Sequence, residues 1–95
     1  MPTAPSAPPT ESIVWVDQEG GMIVDPAVPE PTAVVMDRAS GESQVALAAR
    51  LAQQVETRDH VYVCGPEAAR IGFEREFVAL TRRPERLVDV EPLHR

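Results

Sequence analysis

Residues 60–64 read HVYVC, a short and almost unbroken apolar run between Asp59 and Gly65-Pro66. A run of that length, rich in β-branched and aromatic residues and closed by Gly-Pro, is a strand. Its weak alternation predicts burial on both faces, as at the centre of a sheet covered by helices. Helical patterns flank it. Before it, ESQVALAARLAQQVE at 42–56 holds mostly good helix formers, with Leu47, Ala48, Leu51 and Val55 on one face. After it, Pro66 suits a first helical position, where its missing N–H costs nothing. Ala69, Phe73, Phe77 and Leu80 then form an apolar stripe until Pro84 stops the helix. Strands alternating with helices add in parallel, so the chain is expected to be an α/β protein.

The N-terminal half supplies more strands. SIVWVD at 12–17 and MIVD at 22–25, joined by QEGG, predict a β-hairpin in which both glycines serve a turn needing positive φ. Pro26, Pro29 and Pro31 forbid regular ladder pairing and predict an extended connection. TAVVMD at 32–37 reads as a third strand, Ser40 as the helix N-cap, with Glu42 in the first turn. RLVDV at 86–90 is the last strand, ended by Pro92. The order is β-β-β-α-β-α-β. It predicts a mixed five-stranded sheet with an antiparallel meander at its start and helices on its faces. Alternation puts Val14 and Val16 on one side of the first strand, and Ile13, Trp15 and Asp17 on the other. Large aromatics dominate small cores, so Trp15 is expected to pack against a helix. Gly72 is expected to let the second helix approach a neighbour closely.

Composition narrows the class. MPTAPSAPPT at 1–10 carries four prolines and little apolar surface, so it is read as a disordered tail ahead of one domain spanning 11–95. The formal net charge of -6 argues against direct nucleic-acid binding. The densest basic spot is Arg82-Arg83 with Arg86. Cys64 is the sole cysteine, which excludes an internal disulfide and points to a reducing compartment. The N-terminus has no secretory pattern, and no run approaches the roughly 20 apolar residues of a membrane span. A cytoplasmic protein without membrane contact is expected.

Three stretches carry a resemblance: IVWVDQEGGMIV, GESQVALAARLAQQV, and DHVYVCGPEAARIGFEREF followed by RLVDVEP. Over about residues 11–93 the chain resembles a family of small bacterial proteins, which themselves look like the translational-machinery branch of the ribonuclease-H-like architecture. That branch includes a domain of peptide-chain release factors. The most specific part is a strand followed by G-P-x-x-A-(K/R). The resemblance implies strand order 3-2-1-4-5 with strand 2 antiparallel, and a link to translation. The family's longer, often His-rich segment before the first helix is replaced here by DPAVPEPTAVVMD.

The residues offer little catalysis. Release factors act through a G-G-Q tip, whereas Gly20-Gly21 is followed by Met22. Ribonuclease-H-like nucleases gather carboxylates around two magnesium ions. Asp17, with Glu42 or Glu56, gives at most two, and the fourth strand ends in Cys64-Gly65 instead of an acid. His60 and Cys64 share a strand face ~13 Å apart, too far for direct proton transfer; Cys64 reads as a small buried hydrophobe. With His94, they make no zinc set. No catalytic residue, metal or cofactor is therefore assigned.

Two sets of candidate contacts remain. Gly65-Pro66 opens a helix whose N–H groups favour an anion, so Asp17, Gly65, Pro66 and Arg70 are the candidate ligand site. The simpler reading is a strand-to-helix joint, with Glu67 satisfying the dipole. Arg75, Arg82, Arg83 and Arg86 are the candidate partner contact. The resulting functional expectation is a non-enzymatic interaction module with a protein or ribosomal partner. The alternative is an anion- or nucleotide-binding domain, or a small enzyme, using the strand-end cleft. A third reading is self-association through an edge strand.

Overall fold

A computed structural model describes residues 10–26 and 30–89. In chain order it contains β1 (Glu11–Val16), β2 (Gly20–Asp25), β3 (Thr32–Asp37), α1 (Gln44–Val55), β4 (His60–Cys64), α2 (Glu67–Thr81), a 3-10 turn (Pro84–Arg86) and β5 (Leu87–Asp89). The strands form one sheet in the order β3-β2-β1-β4-β5. β2 runs antiparallel to both neighbours, while β1/β4 and β4/β5 pair in parallel. The expected Pro-rich tail lies outside the described residues, apart from Thr10. So do Val90, Pro92 and His94.

Both helices lie on the same face, a correction to the expectation of helices on both. The reason is topological. β3, β4 and β5 are mutually parallel, and each successive crossover moves the chain the same way across the sheet. Crossovers between parallel strands are right-handed. Two right-handed crossovers in one direction place both helices on one side. There, Val14 and Val16 of β1, Val61 and Val63 of β4, Leu47, Leu51 and Val55 of α1, and Phe73 and Phe77 of α2 make a single core. The two phenyl rings stack with centroids 6.1 Å apart.

The other face is uncovered among the described residues. β4 therefore alternates after all: Val61 and Val63 are buried, Tyr62 and Cys64 are half-buried, and His60 is exposed. Trp15 is not a core residue. It sits on the uncovered face with 44% of its surface exposed. Leu80, expected on the buried stripe of α2, is also exposed.

Local chemistry shifts several boundaries. Gly41 adopts a positive φ of 80°, and the chain turns there before α1 begins. The N-cap is therefore Ser43, not Ser40: its Oγ accepts the Ala46 N–H at 3.1 Å. Glu42 lies outside the helix, where it accepts the Ala39 N–H at 2.8 Å and takes a two-pronged contact from Arg50 at 2.7 Å. Gly20 and Gly21 belong to β2 and lack the positive φ expected of a turn. Their role is clearance. A Cβ on Gly20 would sit 2.5 Å from the Met36 carbonyl, and one on Gly21 would sit 2.8 Å from Leu51. Gly72 shows the reverse, because nothing lies within 4 Å of where its Cβ would be.

A buried polar cluster closes the N-terminal end of β1. Ser12 is fully buried. Its hydroxyl donates to the Asp25 carboxylate and accepts from Arg58 Nε at 2.9 Å. Arg58 Nη2 lies 3.4 Å from Asp25 Oδ2. The Thr10 carbonyl, one step outside β1, accepts the N–H groups of Asp59 and His60.

Candidate functional site

Gly65, Pro66 and Arg70 meet at the carboxyl end of β4. Gly65 has φ 125°, and its backbone lies so close to β1 that a Cβ would fall 2.1 Å from the Val16 carbonyl oxygen. Pro66 is the N-cap of α2, one position earlier than expected, and its carbonyl accepts the Arg70 N–H at 2.9 Å. The Arg70 side chain folds back so that Nε donates to the Gly65 carbonyl at 3.0 Å. Glu67 occupies the first turn, beside the positive end of the helix. These contacts build a strand-to-helix joint.

Asp17 follows Val16 and so lies next to this joint, but its carboxylate serves the hairpin. Oδ1 accepts the N–H groups of Glu19 at 2.8 Å and Gly20 at 3.0 Å, and Oδ2 accepts Trp15 Nε1 at 3.3 Å. The Glu19 N–H is the main reason the carboxyl titrates below its usual range. A depressed folded pKa means stabilisation that is fully present above the unfolded value, about 4. It is lost as pH falls through the folded value. Asp17→Asn is therefore expected to lower stability by roughly 0.5–1 kcal/mol at pH 7, with the gap from wild type closing below about pH 4. Urea midpoints measured across that range check this; a gap that persists at low pH would contradict the assigned role.

The four arginines of the candidate contact have different roles. Arg75 is exposed on α2. Arg82 ends α2 in the left-handed region at φ 58°, with its N–H donating to the Val78 carbonyl. Arg83 is exposed and lies 3.6 Å from Glu85. Arg86 is a structural tie: Nη1 donates toward the carbonyls of Glu56 and Arg58 at 3.3 and 3.5 Å, joining the end of α1 to β5.

The largest feature that sequence reasoning missed is the uncovered sheet face. Strand register places Val35, Met22, Trp15 and Cys64 side by side in one row across four strands. The next row is Ala33, Val24, Ile13, Tyr62 and Val88. Two shallow cavities of about 330 Å³ each indent this surface. One is lined by Trp15, Met22 and Val35 with Asp17, Glu19 and Asp37 at its rim. The other lies among Glu11, Ile13, Pro26, Tyr62 and Cys64. The rims carry carboxylates. Cys64 contributes a thiol whose pKa is pushed up by burial, with Arg70 opposing, so it stays protonated at neutral pH. Among the described residues, no three His, Cys, Asp or Glu side chains converge as a metal site. Nor is any described helix long and apolar enough to cross a membrane. The alternation of Ile13 and Trp15 against Val14 and Val16 carried the signal for this face.

No protein-family model matches the sequence, and no curated protein matches it.

Proposed function

We propose that the chain is a non-enzymatic interaction module of ribonuclease-H-like architecture that works in the cytoplasm at the translation machinery, through a protein or ribosomal partner. The observation that carries the binding role is the double apolar row on the uncovered sheet face, with Trp15 and Val35 at 44% and 68% exposure. Contiguous apolar surface of this kind marks interaction sites, and tryptophan is the residue most enriched at their energetic centres. Carboxylates at Glu11, Asp17, Glu19 and Asp37 surround it. That rim repels phosphate and favours a protein segment bearing Lys or Arg. The translation link rests on the resemblance of the strand–Gly-Pro–helix stretch and on the strand order.

The test is sedimentation of purified protein with ribosomes from its source cells at physiological salt. Wild type is expected in the pellet. Trp15→Ala is expected to weaken binding about 30-fold, the effect of a central hot-spot residue. Arg82→Ala with Arg83→Ala tests the basic spot, leaving Arg86 in place because it ties α1 to β5. Wild type that stays in the supernatant at saturating concentration would remove the translation link. Binding indifferent to Trp15 would remove the uncovered face as the contact.

A further inference from the structure

β3 is an edge strand, and among the described residues nothing pairs with its outer side. Edge strands in monomers are blunted by bulges, prolines, inward charges or shortness. β3 has no bulge or proline within its six residues; its one charge, Asp37, stands at its last position, and Pro31 lies just before its first. It pairs with β2 over six unbroken positions, from Gly20↔Asp37 to Asp25↔Thr32, and its middle is Ala-Val-Val-Met.

The direction of its backbone groups follows from one bond. The Arg38 N–H donates to the Glu19 carbonyl at 2.7 Å, which marks 19/38 as a hydrogen-bonded pair. Bonded and non-bonded pairs alternate in an antiparallel ladder. Residues 36, 34 and 32 therefore face β2, while Ala33, Val35 and Asp37 turn their N–H and C=O groups outward. One outward group is already occupied: Arg50 Nη2 donates to the Asp37 carbonyl at 2.8 Å.

We propose that β3 pairs antiparallel with β3 of a second copy about a two-fold axis through Val34, joining two sheets into one. Residues opposite each other must share a sheet face, which restricts a two-fold axis to single residue positions. The axis at Val34 sets Ala33 opposite Val35 of the second copy, so each pair can exchange N–H···O bonds. It sets Asp37 opposite Pro31. Proline has no N–H to offer, and the Asp37 carbonyl, held by Arg50, needs none. The Pro31 carbonyl can still accept the Asp37 N–H. It also sets Glu30 opposite Arg38 at both ends of the ladder. Glu30 makes no hydrogen bond or ion pair among the described residues, and the Arg38 guanidinium makes one long side-chain hydrogen bond, to the Glu42 carbonyl at 3.5 Å, with only a minor charge attraction to the Glu42 carboxylate. An axis through Val35 would instead aim the Ala33 N–H at the occupied Asp37 carbonyl and leave Glu30 opposite Ser40. The backbone donors, the proline and the two charges thus select the same register.

This inference is independent of the interaction-module reading, because it uses the edge of the sheet and leaves Trp15 exposed. A junction this narrow belongs to the weak interface class, so the test spans a concentration series of the full chain. Sedimentation equilibrium is expected to show a monomer–dimer transition. Glu30→Arg and Arg38→Glu are each expected to weaken it about tenfold by setting like charges together at both ends, and the two combined should restore it. Val35→Pro removes an outward N–H that points to solvent in the monomer, so it should abolish the dimer while circular dichroism stays native. In a Cys64→Ser background, Val34→Cys should oxidise readily to a linked dimer, since non-bonded partners lie about 4.5 Å apart. Val35→Cys should not, its nearest equivalent being a diagonal about 7–8 Å away. A monomer at every concentration overturns the proposal, as does a charge reversal that the second reversal fails to rescue. Equal cross-linking at both positions, or binding only to a strand of another protein, also overturns it.

Discussion

Gly65→Ala is expected to destabilise the protein by about 2–6 kcal/mol, from about 1–3 of backbone strain and about 1–3 of overpacking. Its φ of 125° is a conformation that side chains rarely adopt. The added Cβ would sit 2.1 Å from the Val16 carbonyl oxygen and 3.2 Å from its carbon. Both obstacles are backbone atoms of the central strand, so no side chain can swing aside. A chain with about 80 residues available to fold sits near the low end of the usual 5–15 kcal/mol of stability. Much of that margin would be lost. Gly72→Ala is the control. Its Cβ meets nothing, and the helix gains about 1 kcal/mol in propensity. Urea unfolding followed by circular dichroism should move the two midpoints in opposite directions. A near-native midpoint for Gly65→Ala would mean that β4 and β1 do not meet there, and the joint would have room for the ligand reading.

The element order was legible because it is written locally. Leu47, Ala48, Leu51 and Val55 repeat at helical spacing, and all four are buried. What failed depended on contacts far apart in sequence. HVYVC looked buried on both faces because Tyr62 and Cys64 suit a half-exposed sheet surface as well as a core. Alternation puts Trp15 on the correct side of β1, whereas its size points to the core, and both helices occupy the opposite side. The one-sided arrangement was implicit in the handedness rule once the strand order was known. Gly20 and Gly21 imitate turn residues, and only the approach of Met36 and Leu51 reveals why side chains are excluded. Among the candidate site residues, Gly65, Pro66 and Arg70 do come together, as sequence proximity required. The engagement of Asp17 with its own hairpin, and of Arg86 with α1, shows only in three dimensions. The edge register is legible only once β2 has fixed which way the groups of β3 point.

Arg58→Met should cost about 2–4 kcal/mol, although Arg58 lies in a loop and carries no motif. Removing one partner of a largely buried ion pair leaves an uncompensated charge, which costs about 3–5 kcal/mol when burial is complete. The side chains of Arg58 and Asp25 are 15% and 16% exposed, so a somewhat smaller value is expected. Methionine keeps the apolar stem and isolates the loss of charge. The fully buried Ser12 hydroxyl would also lose its donor from Arg58. Asp25→Asn in the same background separates the pair from its surroundings: a coupling of about 1–3 kcal/mol is expected between the two changes. The damage should also be local. Ser12 is in β1, Asp25 ends β2, and Arg58 precedes β4, while Arg86 holds the Arg58 carbonyl from the β5 side. The cluster thus clamps four strands at one end of the sheet. Its loss should speed hydrogen exchange at the Asp59 and His60 amides, whose bonds to Thr10 lie beside it, before it speeds exchange in α1. Wild-type stability in Arg58→Met would show that water satisfies Asp25 as well as arginine does.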